Sequence, residues 1–170
     1  SRLSKPLLNV YKRMVPKMSK TEKEALEAGG VWWEGELFSG MPNWDVLMTM
    51  PQPELSPDEK KFLDGPCEKL CEMLNDWEIS HHRGDLPEEI WKFFKSEKFF
   101  AMIIPKKYGG LEFSSYANAM VTAKIASRNA VASSTVGVPN SLGPAELLLH
   151  YGSEEQKNHY LPRLASGDEI

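Results

Sequence analysis

The chain has 170 residues, 41% of them hydrophobic and 26% charged, with a net charge of −4. That length predicts about one domain with a core of its own, and the composition excludes a disordered or collagen-like chain. The longest strongly apolar run, Phe99 to Ile104, is far short of the roughly 18–20 residues that span a bilayer.

The charge is unevenly placed. Residues 1–20 carry Arg2, Lys5, Lys12, Arg13, Lys17 and Lys20 and no acid, which leaves 14 basic against 24 acidic residues in the rest, a balance of −10. Nucleic acid is not an expected partner of such a body. The basic arm is expected either to touch an anionic membrane surface or to lie extended on an acidic surface of its own enzyme. No signal-peptide apolar region is visible, and the segment after Gly167 begins an element that does not continue, so the chain reads as a fragment of a longer protein.

In chain order, Ser19-Lys20-Thr21-Glu22 has the form of a capping box, opening a helix that Gly29-Gly30 should stop. Residues 31–55 hold Trp32, Trp33, Phe38 and Trp44 among glycines and prolines, a pattern for an aromatic loop that clamps a segment in place or presents an interaction face. Ser56-Pro57-Asp58-Glu59 repeats the capping-box start. Phe62, Leu63, Leu70, Met73, Leu74 and Trp77 then support one helix, or two interrupted at Gly65-Pro66.

Asp85-Leu86-Pro87-Glu88 predicts a further start, with Ile90, Phe93 and Phe94 on the buried stripe. Tyr108-Gly109-Gly110 predicts a turn. One Ala-rich helix is expected from Ser114 or Ser115 to about Ser134, broken by Gly137 and Pro139. A shorter helix should follow from Leu142 to His150, and a third capping box, Ser153-Glu154-Glu155-Gln156, opens the last one. Period-two alternation of β-branched residues is absent, so the expected architecture is all-α, an antiparallel helical bundle.

Few residues look chemical on their own. Cys67 and Cys71 stand four apart on one helix face, where they are expected to pack as small hydrophobes in reduced form. Only His81 and His82 stand near them, without zinc-site spacing, so no metal site is assigned. His81, His82, His150 and His159 lack a neighbouring nucleophile. Glu88 and Glu89 suit a helix N-terminus, and Gly109-Gly110 is no phosphate-binding loop.

An ordered series of motifs says more. Leu86-Pro87-Glu88-Glu89, Ile104-Pro105-Lys106-Lys107-Tyr108-Gly109-Gly110-Leu111, Tyr151-Gly152-Ser153-Glu154-Glu155-Gln156-Lys157, Tyr160-Leu161-Pro162 and Ala165-Ser166-Gly167-Asp168-Glu169 together resemble the N-terminal helical domain of the acyl-CoA dehydrogenases. Glu22-Lys23-Glu24-Ala25, Trp32-Trp33-Glu34-Gly35 and Phe62-Leu63-Asp64-Gly65-Pro66 resemble a narrower group, the large bacterial long-chain enzymes of fatty-acid β-oxidation. The resemblance implies residues 1–55 as an extension and 56–170 as the N-terminal helical domain of a longer enzyme, with a β-domain and a C-terminal helical domain beyond it.

It implies FAD as cofactor, an acyl-CoA substrate desaturated to trans-2-enoyl-CoA, an electron-transfer flavoprotein as acceptor, a homo-oligomer, and a place in the bacterial cytoplasm or at the inner face of its membrane. In that family a glutamate takes the α-proton and the β-hydrogen leaves as hydride, while placed donors polarise the thioester carbonyl. Both that glutamate and the flavin-contacting segment match positions after Ile170. No residue here is therefore expected to be catalytic or to bind the cofactor, and the 170 residues alone are expected to be inactive. Aligning Asn140-Ser141-Leu142-Gly143 with the family pattern places Ser134, Val138 and Leu142 on the wall of the acyl pocket. Medium-chain members carry polar groups at the first two positions, so Ser134 and the apolar Val138 point to a longer acyl chain. An acyl-CoA oxidase and a non-catalytic interaction module are the alternatives.

Overall fold

The computed structural model describes residues 4–141 and 143–169. They hold ten α-helices joined by short 3-10 and π turns, and among the described residues there is no strand. The all-α class is what the sequence predicts. The chain divides into two compact units, Ser1–Gln52 and Pro53–Ile170.

The first unit contains α1 (Ser4–Met14), α2 (Lys20–Ala28), a 3-10 segment (Trp33–Ser39) and α3 (Trp44–Met48). The capping box of α2 forms, with Glu22 N–H donating to Ser19 Oγ at 3.2 Å and Ser19 N–H to the Glu22 carboxylate at 2.7 Å. The Trp-rich stretch folds on itself. Trp33 and Trp44 rings lie 5.2 Å apart, and Trp33 Nε1 donates to the Asn43 carbonyl at 2.8 Å. None of the four elements holds a buried residue.

The second unit runs through α4 (Pro57–Asp64), α5 (Pro66–Met73), a π turn (Glu78–Arg83), α6 (Glu88–Ser96), 3-10 turns at Phe99–Ala101 and Lys106–Tyr108, α7 (Ser115–Ala126), α8 (Ala130–Ser141), α9 (Pro144–Tyr151) and α10 (Glu154–Ser166). Its larger core gathers Phe62, Leu70, Ile90, Phe94, Phe99, Val121, Ile125 and Val136. A smaller one gathers Ala101, Ile104, Tyr108, Ala145, Leu161 and Leu164. The Phe99–Ala101 turn joins the two, since its phenylalanines enter the first and its alanine the second. In the turn that follows, Gly109 has φ +88°, the left-handed backbone that favours glycine. A Cβ at Gly110 would collide with the backbone of Ile104, so both glycines are needed for chain 111–113 to bond back to 101–104.

Three expectations need correction. The Ala-rich helix is two helices, divided at Ser127–Asn129. Asn129 is buried there; its amide donates to Asp76 at 2.6 Å and its carbonyl oxygen caps α8 by accepting from Ala132 N–H at 2.7 Å. Gly137 and Pro139 do not break the chain but lie inside α8. Pro139 sits in the last turn, where Asn140 Nδ2 and Ser141 Oγ donate to the carbonyls of Val136 and Gly137 at 2.9 and 2.6 Å. Asp85 does not cap α6: Pro87 holds that position without a side-chain bond, and Asp85 accepts from its neighbour Leu86.

Candidate functional site

α8 turns two faces outward from its axis. Ala132, Ser133, Val136 and Asn140 are buried on one side, with Ser133 Oγ donating to the Thr122 carbonyl on α7 at 3.0 Å. Ser134 and Val138, one turn apart, lie on the other side. Ser134 is exposed, and Val138 is 53% exposed. Leu142 lies outside the described residues.

Val138 borders an apolar recess of about 70 Å³, whose other walls are Phe100, Pro139, Pro144, Ala145 and Leu164. A wider hollow of about 360 Å³, lined by Leu148 and Tyr160, shares Pro144, Leu164 and Glu169 with it. The two form one apolar surface with a single carboxylate, Glu169, on its edge. Of the positions expected on an acyl pocket, the structure brings Val138 to this recess and leaves Ser134 off it.

Asn140 fixes the recess. Its side chain, 2% exposed, donates to the Phe99 carbonyl at 2.6 Å and accepts from Ile103 N–H at 3.3 Å. The end of α8 is thus tied to the turn that supplies Phe100. Gly143 completes the corner, because a Cβ there would lie 2.7 Å from Pro139 Cα. On the far side, α10 buries Leu161 and ends at Gly167, whose φ of +76° turns the chain back. Arg163 Nη1 donates to Glu169 at 2.9 Å, so the carboxylate on the rim is already paired.

Other chemical groups are absorbed by the fold. Cys67 is fully buried, and burial followed by the nearby Cys71 pushes its thiol up to about 12. Burial raises Cys71 as well. Among the described residues no group of three or more His, Cys, Asp or Glu could hold a metal. Trp77 stacks on His81 at 4.0 Å and donates to His82 Nε2 at 3.0 Å, which makes His82 a hydrogen-bond acceptor on an exposed turn.

Glu59 is buried, and that burial pushes its carboxyl up. Backbone donors from Ser114 at 2.6 Å and Ser56 at 2.7 Å outweigh it and hold the carboxyl below its ordinary value. This is a structural role: one carboxylate joins the N-termini of α4 and α7. Around the recess no arrangement fits a flavin dinucleotide, whose pyrophosphate needs cations or clustered amide donors. Among the described residues the lining is hydrocarbon, and its one charged residue, Glu169, is an anion already paired with Arg163.

A family model described as "Acyl-CoA dehydrogenase, N-terminal domain" matches residues 58–168, well over half the chain. The chain belongs to the acyl-CoA dehydrogenase family. It is 28% identical over 137 residues to the rat "very long-chain specific acyl-CoA dehydrogenase, mitochondrial", covering 79% of this chain and 21% of that one. It is 29% identical over 134 residues to the "probable acyl-CoA dehydrogenase FadE10" of Mycobacterium tuberculosis, covering 78% and 20%. The human very long-chain enzyme is 25% identical over 158 residues, covering 91% and 24%.

The chain spans about a fifth of the length of these relatives. As a dehydrogenase N-terminal domain it contributes the recess from four elements. Phe100, Pro144 and Leu164 carried no sequence signal for the recess, since each lies outside the motifs that carry the family resemblance.

Proposed function

We propose that this chain is the N-terminal part of an FAD-dependent dehydrogenase that converts long-chain acyl-CoA to trans-2-enoyl-CoA, and that residues 56–170 wall the hydrocarbon end of its acyl pocket. The observation that carries the reading is the continuous apolar surface on which Val138 stands. Each methylene laid against such a surface gains roughly 0.8 kcal/mol, so an uncharged lining rewards a longer tail. Ser134 lies on the same helix face as Val138 and, like Leu142, is proposed to complete the wall.

Bound FAD would supply the hydride acceptor, with an electron-transfer flavoprotein taking the electrons onward and the longer protein assembling as a homo-oligomer. What this domain does is bind and exclude water: it orders the tail and leaves the thioester to residues of other domains. The 170 residues alone are expected to carry no stoichiometric flavin absorbance and to turn over no acyl-CoA.

Val138→Glu in the longer enzyme tests the assignment. A carboxylate desolvated against the tail should lower kcat/KM for palmitoyl-CoA relative to octanoyl-CoA by about tenfold or more. An unchanged ratio would remove Val138 from the pocket.

A further inference from the structure

α1 has no counterpart in the acyl-pocket reading, and its surface is of another kind. Leu7, Leu8, Val10, Tyr11 and Met14 fall on one side of the helix, at the spacing of an apolar stripe. Lys5, Asn9, Lys12 and Arg13 fall on the other. None of its side chains is buried: Leu7 is 69% exposed, Tyr11 65% and Met14 77%. Val15 and Met18, also exposed, and the cations Lys17 and Lys20 follow in the chain after the helix ends at Met14.

We propose that α1 is an interfacial helix that lies on an anionic lipid bilayer, with its leucines and Tyr11 in the acyl boundary and its cations among the headgroups. An amphipathic helix with cations on its polar face binds membranes in this way, by apolar burial plus attraction to anionic lipid. Charge selects this occupant over the others. Residues 1–20 hold six cations and no anion, so a second copy would bring twelve like charges together. A nucleic acid would match the charge but leave the apolar stripe in water. A protein perch on an acidic surface would likewise use only one of the two sides. The helix is about 16 Å long, so it lies on the bilayer and does not cross it. No helix among the described residues is long and apolar enough to cross.

The test is co-sedimentation of the full chain with phosphatidylcholine vesicles, with and without about 30% phosphatidylglycerol, at an ionic strength of about 0.1 M. Phosphatidylglycerol should tighten binding by about tenfold or more, and about 0.5 M salt should remove that gain. Lys12→Gln with Arg13→Gln should weaken binding by about tenfold or more. Leu8→Asp with Tyr11→Asp should abolish it on both vesicle types. The changed side chains are exposed, and the salt series on the unmodified chain stands without them.

Binding that ignores phosphatidylglycerol, or that both double variants retain, overturns the proposal. So does a chain that stays in the supernatant throughout. Self-association that Leu8→Asp with Tyr11→Asp dissolves, without vesicle binding, assigns the stripe to a second copy and overturns it too.

Discussion

The two units of this chain start from the same local instruction and end differently. α2 and α4 are both opened by a serine with a glutamate three residues on, and both capping boxes form with a 2.7 Å bond from the serine amide to the carboxylate. In α2 the matter ends there: Glu22 is exposed and no residue of the helix is buried. In α4 the second oxygen of Glu59 accepts from Ser114 N–H, 55 residues away. Phe62 packs on Phe99 and Phe113 at 4.8 and 5.3 Å between ring centres. A cap starts a helix, but only an apolar face that meets a partner makes it part of a core.

That contrast breaks most visibly at the aromatic residues. Phe94, fully buried among Trp91, Phe99 and Phe100, should cost about 3–5 kcal/mol of unfolding free energy when changed to Ala, read by denaturant titration. Phe38, 92% exposed in the first unit, should leave the same titration unmoved. A comparable loss at Phe38 would mean that the first unit shares in the core.

Asn140→Ala comes next. It removes the clamp between α8 and the Phe99–Ile103 segment and leaves the Phe99 carbonyl and Ile103 N–H without that partner, at a cost of about 2–3 kcal/mol. The recess should loosen with it, so the same variant in the longer enzyme should blunt chain-length discrimination. Full discrimination in a destabilised variant would separate the clamp from the recess.

The smallest effect sharpens the comparison of the two caps. Glu59→Gln should cost about 1–2 kcal/mol at neutral pH, while Glu22→Gln should leave stability unchanged. Because the Glu59 carboxyl is held below its ordinary value of 4.5, the unfolded chain takes up its proton first as pH falls. Its contribution is therefore full above that value and is lost on descending through the folded one. A stability profile from neutral pH to below pH 4 should fall less steeply in the variant, and parallel profiles would refute the role.

The parts of the fold written in short-range code were legible. The capping boxes at Ser19, Ser56 and Ser153 predicted the starts of α2, α4 and α10, and all three form. The division between α7 and α8 was not legible, because Asn129 caps α8 from a position held by Asp76, 53 residues earlier. Pro139 was read as a breaker since a proline's effect depends on which carbonyls lose a donor. Here the side chains of Asn140 and Ser141 serve the carbonyls beside the gap.

The candidate site divides in the same way. Val138 was reached through a family motif on its own helix, whereas Phe100, Ala145 and Leu164 join it only through tertiary packing. Ser134 shares Val138's helix face but not its recess, a distinction that helical spacing does not encode.

The most direct test of the account is acyl-CoA-dependent reduction of an artificial electron acceptor by the longer enzyme, measured across acyl chain lengths. An apolar recess bordered by Val138 predicts activity that rises with chain length and peaks among the long chains. A peak at short chains would contradict that use of the recess, and silence on every acyl-CoA with FAD bound would contradict the dehydrogenase reading itself.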